Sequence, residues 1–449
     1  MQRGAATLGP FERFLVHDVG EFNLCLDAGA LLVISLEEAQ SFVRRDLAPL
    51  RPVELALDEV LGLVAAEQVV ARERIPGFAN SAMDGYALRA DDTSAEATRL
   101  RVTGSIMAGD VPTGPLEVGE TMRVMTGAPI PDDSDCVCMI EEVTVDPDGC
   151  AVTINRTMAR GENVRFPGED IELGQVLIAA GTELGVVEVG VLASQGLACA
   201  KVFPRPRVGV LSTGNELTTS RGPLPQGAIR DLNRPMLLAS LRQSGFTATD
   251  LGIVPDDESL ITRAFQNAIG DFDAVVSTGG VSVGDVDHVK SAILKLCGTR
   301  ARSMQVAIKP GKPMTFGIAG EDGTPLFGLP GNPVSTLVSF ELFVRPSLRL
   351  LGGHRLLERP VFNSVLDSAL SRRLDGKLHV IHVKVAVGAD GRPHVTNIMR
   401  KGSHMVSAIA GANALAMVPD GEGLDRGQLV RTMILDFGRL DTPLPETTT

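Results

Sequence analysis

The run STGGVSVGDVD, Ser277 to Asp287, follows an apolar segment and sets Gly279, Gly280 and Gly284 beside Ser282 before ending in acids. Two runs of similar build accompany it: STGNEL, with Ser212, Thr213, Gly214 and Glu216, and GLPGNPVS, with Pro330, Gly331, Asn332 and Ser335. Glycine turns opening onto helices expose backbone N–H groups, which hold phosphate or another oxyanion without a charged side chain. One such run needs no more than a tight turn to explain it. Three at one sheet edge point to a nucleotide-like or phosphorylated ligand. Between the second and third lies AIKPGKPMTF, where prolines flank Lys309 and Lys312 and restrict where the ammonium groups point. Glu216, Asp256, Asp285 and Asp287 would repel an anion unless a hard cation lies between, and Mg2+ takes carboxylate together with phosphate oxygens. Asp285 by itself would also serve as a solvated helix N-cap. A second polar group lies upstream: Asp84 and the sole tyrosine, Tyr86, in NSAMDGYA, Thr126 in MTGAP, and Arg165, Glu169 and Asp170 in NVRFPGEDI.

The elements that must position these residues change character along the chain. Residues 1–34 carry Asp18, Glu21 and Asp27 in or beside their apolar stretches, so no secretory h-region is legible, and the segment is left as an unassigned extension whose removal should matter little. Residues 35–203 read as a helical lead-in followed by β-rich, intertwined subdomains, with short β-branched runs between Gly, Pro and Asp clusters. Residues 204–352 alternate strand and helix, predicting a largely parallel sheet with helices on its faces and ligands beyond the strands' carboxyl ends. Here Asn233 is the expected N-cap of the helix NRPMLLASLRQSG. Residues 353–449 return to short strands and predict a small C-terminal β domain. The fold class expected is multidomain α/β plus β, with a central α/β domain.

At 449 residues the chain suits about three domains. Its net charge of -13 argues against a nucleic-acid or anionic-membrane partner. Six cysteines without a CxxC pair fit reduced thiols in a cytoplasmic protein. No 18-residue apolar run is present to span a membrane.

In order, NSAMDGYA, MTGAP, RFPGEDI, STGNEL, the D-x-N of Asp231–Asn233, GGVSVGDVD, IKPGKP, GLPGNPVS and GSH resemble the molybdopterin molybdotransferases, the family of bacterial MoeA and the gephyrin E-domain. The resemblance runs from about Ile34 to the C-terminal strands. It implies an elongated homodimer of four-domain subunits that inserts molybdate into adenylylated molybdopterin with Mg2+ and releases AMP. By the same resemblance, Asp256 and Asp287 match positions linked to Mg2+ and adenylate cleavage. Lys309, Lys312, Ser335 and Ser403 match positions around molybdate and the pterin phosphate, and Glu216 matches the acid of the first loop. Asp84, Thr126, Arg165 and Asp170 match residues facing the site from a second subunit, and molybdopterin adenylyltransferase and molybdoenzyme acceptors become expected partners. The α/β part also resembles stand-alone molybdopterin adenylyltransferases, and a non-catalytic dimeric scaffold of the same fold is a further alternative. Ala79, Gln305, Lys377 and His382 depart from the family pattern, the last three standing where a lysine or arginines are usual.

Overall fold

The computed structural model describes residues 33–440 apart from 113, 280–286, 322 and 397–404. A seven-stranded sheet lies at the centre, in the order Val33–Ile34, Ala301–Val306, Pro313–Ala319, Thr324–Leu329, Ala274–Thr278, Arg207–Thr213, Thr247–Val254. The last four strands are parallel neighbours, and helices link Arg207–Thr213, Thr247–Val254 and Ala274–Thr278 in chain order, as parallel pairing requires. Pro313–Ala319 runs antiparallel to both of its neighbours, because short turns rather than crossovers flank it. The sheet is therefore mixed, with its parallel part carrying the glycine loops.

The expected extension ends earlier than residue 34. Val33 and Ile34 pair in parallel with Gln305 and Val306, and Ile34 is buried. The helix Leu36–Arg44, expected to lead into the β-rich half, packs in the α/β core with Val208, Phe316 and Phe343. A capping box starts it: the Glu38 N–H donates to Ser35 Oγ, and the Ser35 N–H donates to Glu38 Oε2.

That helix also supports the long one opposite. Pro333–Ser339, Phe340–Val344 and Arg345–Leu351 form one continuous rod whose middle turn is a π-helix. Pro346 has no N–H to give the Leu342 carbonyl four residues back, and its ring crowds that turn. Gln40 Nε2 donates to the Leu342 oxygen instead, at 2.9 Å. Replacing Gln40 by alanine orphans a buried carbonyl and should destabilise the fold by about 1–2 kcal/mol. Calorimetry checks this, and an unchanged melting temperature would show that the carbonyl needs no partner.

The β-rich half has a six-stranded sheet, Val143–Val145, Ala151–Ile154, Thr98–Ile106, Glu120–Val124, Gly85–Leu88 and Cys136–Met139. Chain segments far apart also pair in this half: Cys199–Phe203 pairs with Val53–Ala56 and Val64–Ala65, and Val176–Ile178 pairs with Val69–Val70. Tyr86, singled out by its rarity, is buried in this half with Leu88, Leu100 and Ile154, so it is a core residue.

At the C-terminal end, Leu378–Val387, Pro393–Thr396, Val361–Leu366, Leu429–Ile434 and Ala414–Val418 close into a ring, since the first and last also pair. Closure removes exposed edges. Ile308–Lys309, from the lysine loop of the α/β part, adds in parallel to Leu378–His379 of this barrel. Val380, Leu415 and Met433 from the barrel belong to the α/β core, so the two parts share one apolar interior.

Candidate functional site

Three glycine loops converge at the carboxyl ends of the parallel strands. Gly279 has φ +93°, and a Cβ there would stand 2.3 Å from the Thr213 carbonyl oxygen, which side chains cannot tolerate. The Gly279 N–H donates to the Leu329 carbonyl (3.3 Å), and a Cβ added at Gly331 would come 3.6 Å from Gly279 Cα. Asn233 locks the same corner, its Nδ2 donating to Thr278 Oγ1 at 2.9 Å and to the Gly331 carbonyl at 2.7 Å. This corrects its expected role. Leu232 stands at the N-cap position, and Asn233 is the first helical residue, its side chain spent on tertiary bonds. Asp231, of the same motif, is buried against Arg234 Nε at 2.8 Å.

Ser212 Oγ, Thr213 Oγ1 and Asn233 Oδ1 are buried and have no hydrogen-bond partner among the described residues. Polar atoms in that position are costly unless a ligand or water meets them. The Glu216 carboxylate folds back over Gly214.

The acids divide. Asp256 is exposed, and its backbone N–H donates to Asn215 Oδ1 (3.1 Å), tying the first loop to the start of the helix Glu258–Ala268. Asp287 is 6% exposed and caps the helix His288–Cys297, accepting from the Lys290 N–H at 2.8 Å. These two helix starts are neighbours: His288 contributes to holding the Asp257 carboxyl below the usual range, after the Ser259 and Leu260 bonds. Gly280, Ser282, Gly284, Asp285 and Ser403 lie outside the described residues.

The lysine loop rests on the first turns of the helix Pro333–Ser339. A Cβ at Gly311, φ +99°, would meet Ser339 Oγ at 3.2 Å and the Ser335 carbonyl at 3.7 Å, which sets the turn between Lys309 and Lys312 against that helix. Pro330 and Asn332 shape that turn, their carbonyls accepting from Thr336 Oγ1 at 2.6 and 3.0 Å. Lys309 is an exposed cation whose Nζ meets Asp375 Oδ2 at 3.4 Å. Asp375 also accepts from Arg372 Nη2 (2.8 Å) and contacts His379 Nε2 (3.0 Å). The His379 ring, and then Lys309, hold its carboxyl down at about 2.

The upstream residues are gathered separately. Asp84 accepts from the Thr126 N–H (2.7 Å) and hydroxyl (2.8 Å), bonds that hold its carboxyl below the usual range, with Arg123 adding a smaller pull. Arg165 pairs in register with Asn80, and the Asp170 N–H donates to the Ile75 carbonyl. Glu169 accepts from the Phe166 N–H. Among the described residues no hydrogen bond or ion pair links this group to the glycine loops.

Two of the departures are buried. His382 is buried, its Nδ1 has no partner among the described residues, and burial pushes its pKa down to about 4. It therefore carries no charge at neutral pH. Gln305 is buried beside Val33. The residues the sequence did not single out are Asn215, inside STGNEL, Arg123, just before MTGAP, and Arg372, Asp375 and His379, near Lys377. Only pairing across distant segments reveals them.

The fold and site define a multidomain α/β protein whose glycine and lysine loops share one sheet edge with a docked β-barrel. Family models match three segments of it. Residues 34–196 match the MoeA N-terminal region (domain I and II), 209–350 a probable molybdopterin binding domain, and 372–435 the MoeA C-terminal region (domain IV). A Haemophilus influenzae protein named molybdopterin molybdenumtransferase is 35% identical over 87% of this chain and 96% of its own. Molybdopterin molybdenumtransferase 2 of Mycobacterium tuberculosis is 34% identical over 86% of this chain and 95% of its own. Solved structures of the molybdopterin biosynthesis MoeA protein from Pyrococcus horikoshii share the fold with TM-score 0.75 at 30% and 28% identity, covering 90% of this chain and 100% of theirs. The chain belongs to the molybdopterin molybdenumtransferase family, a family of transferases.

Proposed function

We propose that this protein inserts molybdate into adenylylated molybdopterin and hydrolyses the adenylate, releasing AMP and molybdenum cofactor. The observation that carries this reading is the convergence of three glycine loops, with buried unpartnered Ser212, Thr213 and Asn233 oxygens, beside a loop bearing Lys309 and Lys312. A pterin phosphate, an adenylate and a tetraoxoanion all require oriented N–H, O–H and ammonium donors. The loops around Gly214, Gly279 and Gly331 would bind the phosphates, and Lys309, Lys312 and Ser335 the entering molybdate. Glu216 lines the first loop. No covalent nucleophile is needed: water attacks the adenylate phosphorus, and its bond to the pterin phosphate oxygen breaks.

Mg2+ fits the acids present. Among the described residues no group of three or more His, Cys, Asp or Glu side chains assembles for a metal, but Mg2+ takes one or two carboxylates and completes its shell with phosphate and water. Asp256 and Asp287, at neighbouring helix starts, would hold it. When bound it would offset charge developing on the transferred phosphoryl group.

The chain divides, in this reading, into residues 35–203, 204–352 and 353–449, with Val33–Ile34 and the helix Leu36–Arg44 joined to the middle unit. Asp84, Thr126 and Asp170 sit in turns and bends and Arg165 on a short strand, with no hydrogen bond or ion pair to the glycine loops among the described residues, which suits a homodimer in which each copy completes the other's site. Free cysteines, three of them buried, suit the cytoplasm. Among the described residues no helix is long and apolar enough to cross a membrane. Molybdopterin adenylyltransferase and molybdoenzymes would be its functional neighbours.

Incubating the purified protein with adenylylated molybdopterin, Mg2+ and molybdate should release AMP. Asp287→Asn should lower that rate by at least about a hundredfold while retaining adenylate binding, because the lost charge acts mainly in the transition state. AMP release that ignores molybdate, or an Asp287→Asn protein as fast as wild type, rules the reading out.

A further inference from the structure

The Asp375 carboxylate lies where the α/β part meets the barrel, and three cationic or ring nitrogens converge on it. Arg372 Nη2 donates to Oδ1 at 2.8 Å, His379 Nε2 meets Oδ1 at 3.2 Å and Oδ2 at 3.0 Å, and Lys309 Nζ reaches Oδ2 at 3.4 Å. Strand pairing enforces this meeting, because Lys309 is in direct register with His379. The barrel side is rigid. The Arg372 side chain is only 4% exposed, it also donates to the Val418 and Pro419 carbonyls, and it pairs with Asp420 at 2.6 Å. Asp420 in turn accepts from the N–H groups of Asp375 and Gly376, at 3.2 and 3.0 Å. The lysine side is loose: the Lys309 side chain is 60% exposed, and a solvated pair of that kind contributes little stability. A fixed carboxylate therefore holds a movable ammonium.

We propose that Asp375 is an internal counter-anion, occupying Lys309 until an incoming oxyanion displaces it and so setting how tightly the site takes that anion. The inference rests on the reading above that Lys309 receives molybdate. A tetraoxoanion on Lys309 sits close to the Asp375 charge and is repelled by it, while Arg372 and His379 keep Asp375 in place when the lysine swings away. Two like charges so close work against each other even in water. The carboxyl's low pKa keeps this charge in force throughout the working pH range.

The test is molybdate titration by calorimetry on the full chain, without any pterin. Asp375→Asn preserves shape and removes the charge, and it should tighten molybdate binding by about tenfold at low salt, less as salt screens the field. Asp375→Glu should bind like wild type, and Lys309→Ala should bind more weakly. In the Lys309→Ala background the Asp375→Asn gain should fall below about threefold, since the repulsion then acts from farther away. Unchanged or weaker binding by an Asp375→Asn protein that melts like wild type overturns the proposal, as does failure of both it and wild type to bind. A gain of equal size with and without Lys309 overturns it too. AMP release plays no part in this readout. Loss of AMP release with the expected titrations would count against the proposed reaction and leave the role of Asp375 standing.

Discussion

Replacing Gly279 by alanine is expected to abolish activity and to lower the melting temperature by roughly 5–10 °C. Two terms add. The position has φ +93°, a conformation that costs a side chain about 1–3 kcal/mol. In addition the new Cβ would stand 2.3 Å from the Thr213 carbonyl oxygen, a backbone atom that cannot rotate away. Thr213 ends a strand paired on both sides, so the loop must yield, and the Gly279 N–H then loses the Leu329 carbonyl. A total of about 2–4 kcal/mol corresponds to a shift of that size in a unit of roughly 150 residues. Gly331→Ala is the matched control. Its Cβ would meet Gly279 Cα at 3.6 Å, an ordinary contact, so its melting temperature should stay within about 2 °C of wild type. Equal melting temperatures for the two variants would show that the strand-end loops do not meet as described.

The second large effect is acid lability, centred on His382. Along Leu378–Val387 alternate residues share a face, so His382 lies with Val380, and its cross-strand neighbour is Leu415. Val380 and Leu415 are in the core that joins the barrel to the α/β sheet. Burial lowers the folded-state pKa to about 4 from an ordinary 6.5. A base depressed in this way costs nothing above pH 6.5, where it is neutral in both states. As pH falls from 6.5 to 4 the unfolded chain takes up the proton and the folded chain resists, so stability drains across that window. The shift corresponds to about 3 kcal/mol, fully developed below pH 4. His382→Leu should flatten the stability profile between pH 6.5 and 4 by that amount, measured by denaturant unfolding at each pH. Carboxylates titrating in the same range affect both proteins alike and cancel in the comparison. Parallel profiles would mean that His382 reaches water.

The glycine loops and the alternation of strand and helix were legible in the residues, because turn chemistry and apolar periodicity are local properties. Gly279 and the Pro-Gly turn at Gly311 are such cases. Each local signal reports a backbone requirement within a few residues of itself. Asn233 misled for the same reason: asparagine before an apolar run reads as an N-cap, and nothing local reveals Thr278 and Gly331 waiting across the sheet. Tyr86 and His382 likewise stand in polar motifs yet are buried, since burial depends on what the rest of the chain lays over them.

By itself, then, the sequence determined the fold class and the family, since these follow from ordered motifs and local pattern. Tertiary structure alone decided four further matters. It drew Val33–Ile34 into the central sheet, set the helix starts bearing Asp256 and Asp287 side by side, joined Lys309 to the barrel, and placed Asp375 against its ammonium. Each depends on pairings between segments tens to hundreds of residues apart. A hydrogen-bond ladder or a shared core chooses such partners by the free energy of the whole arrangement, and no window along the chain contains that sum.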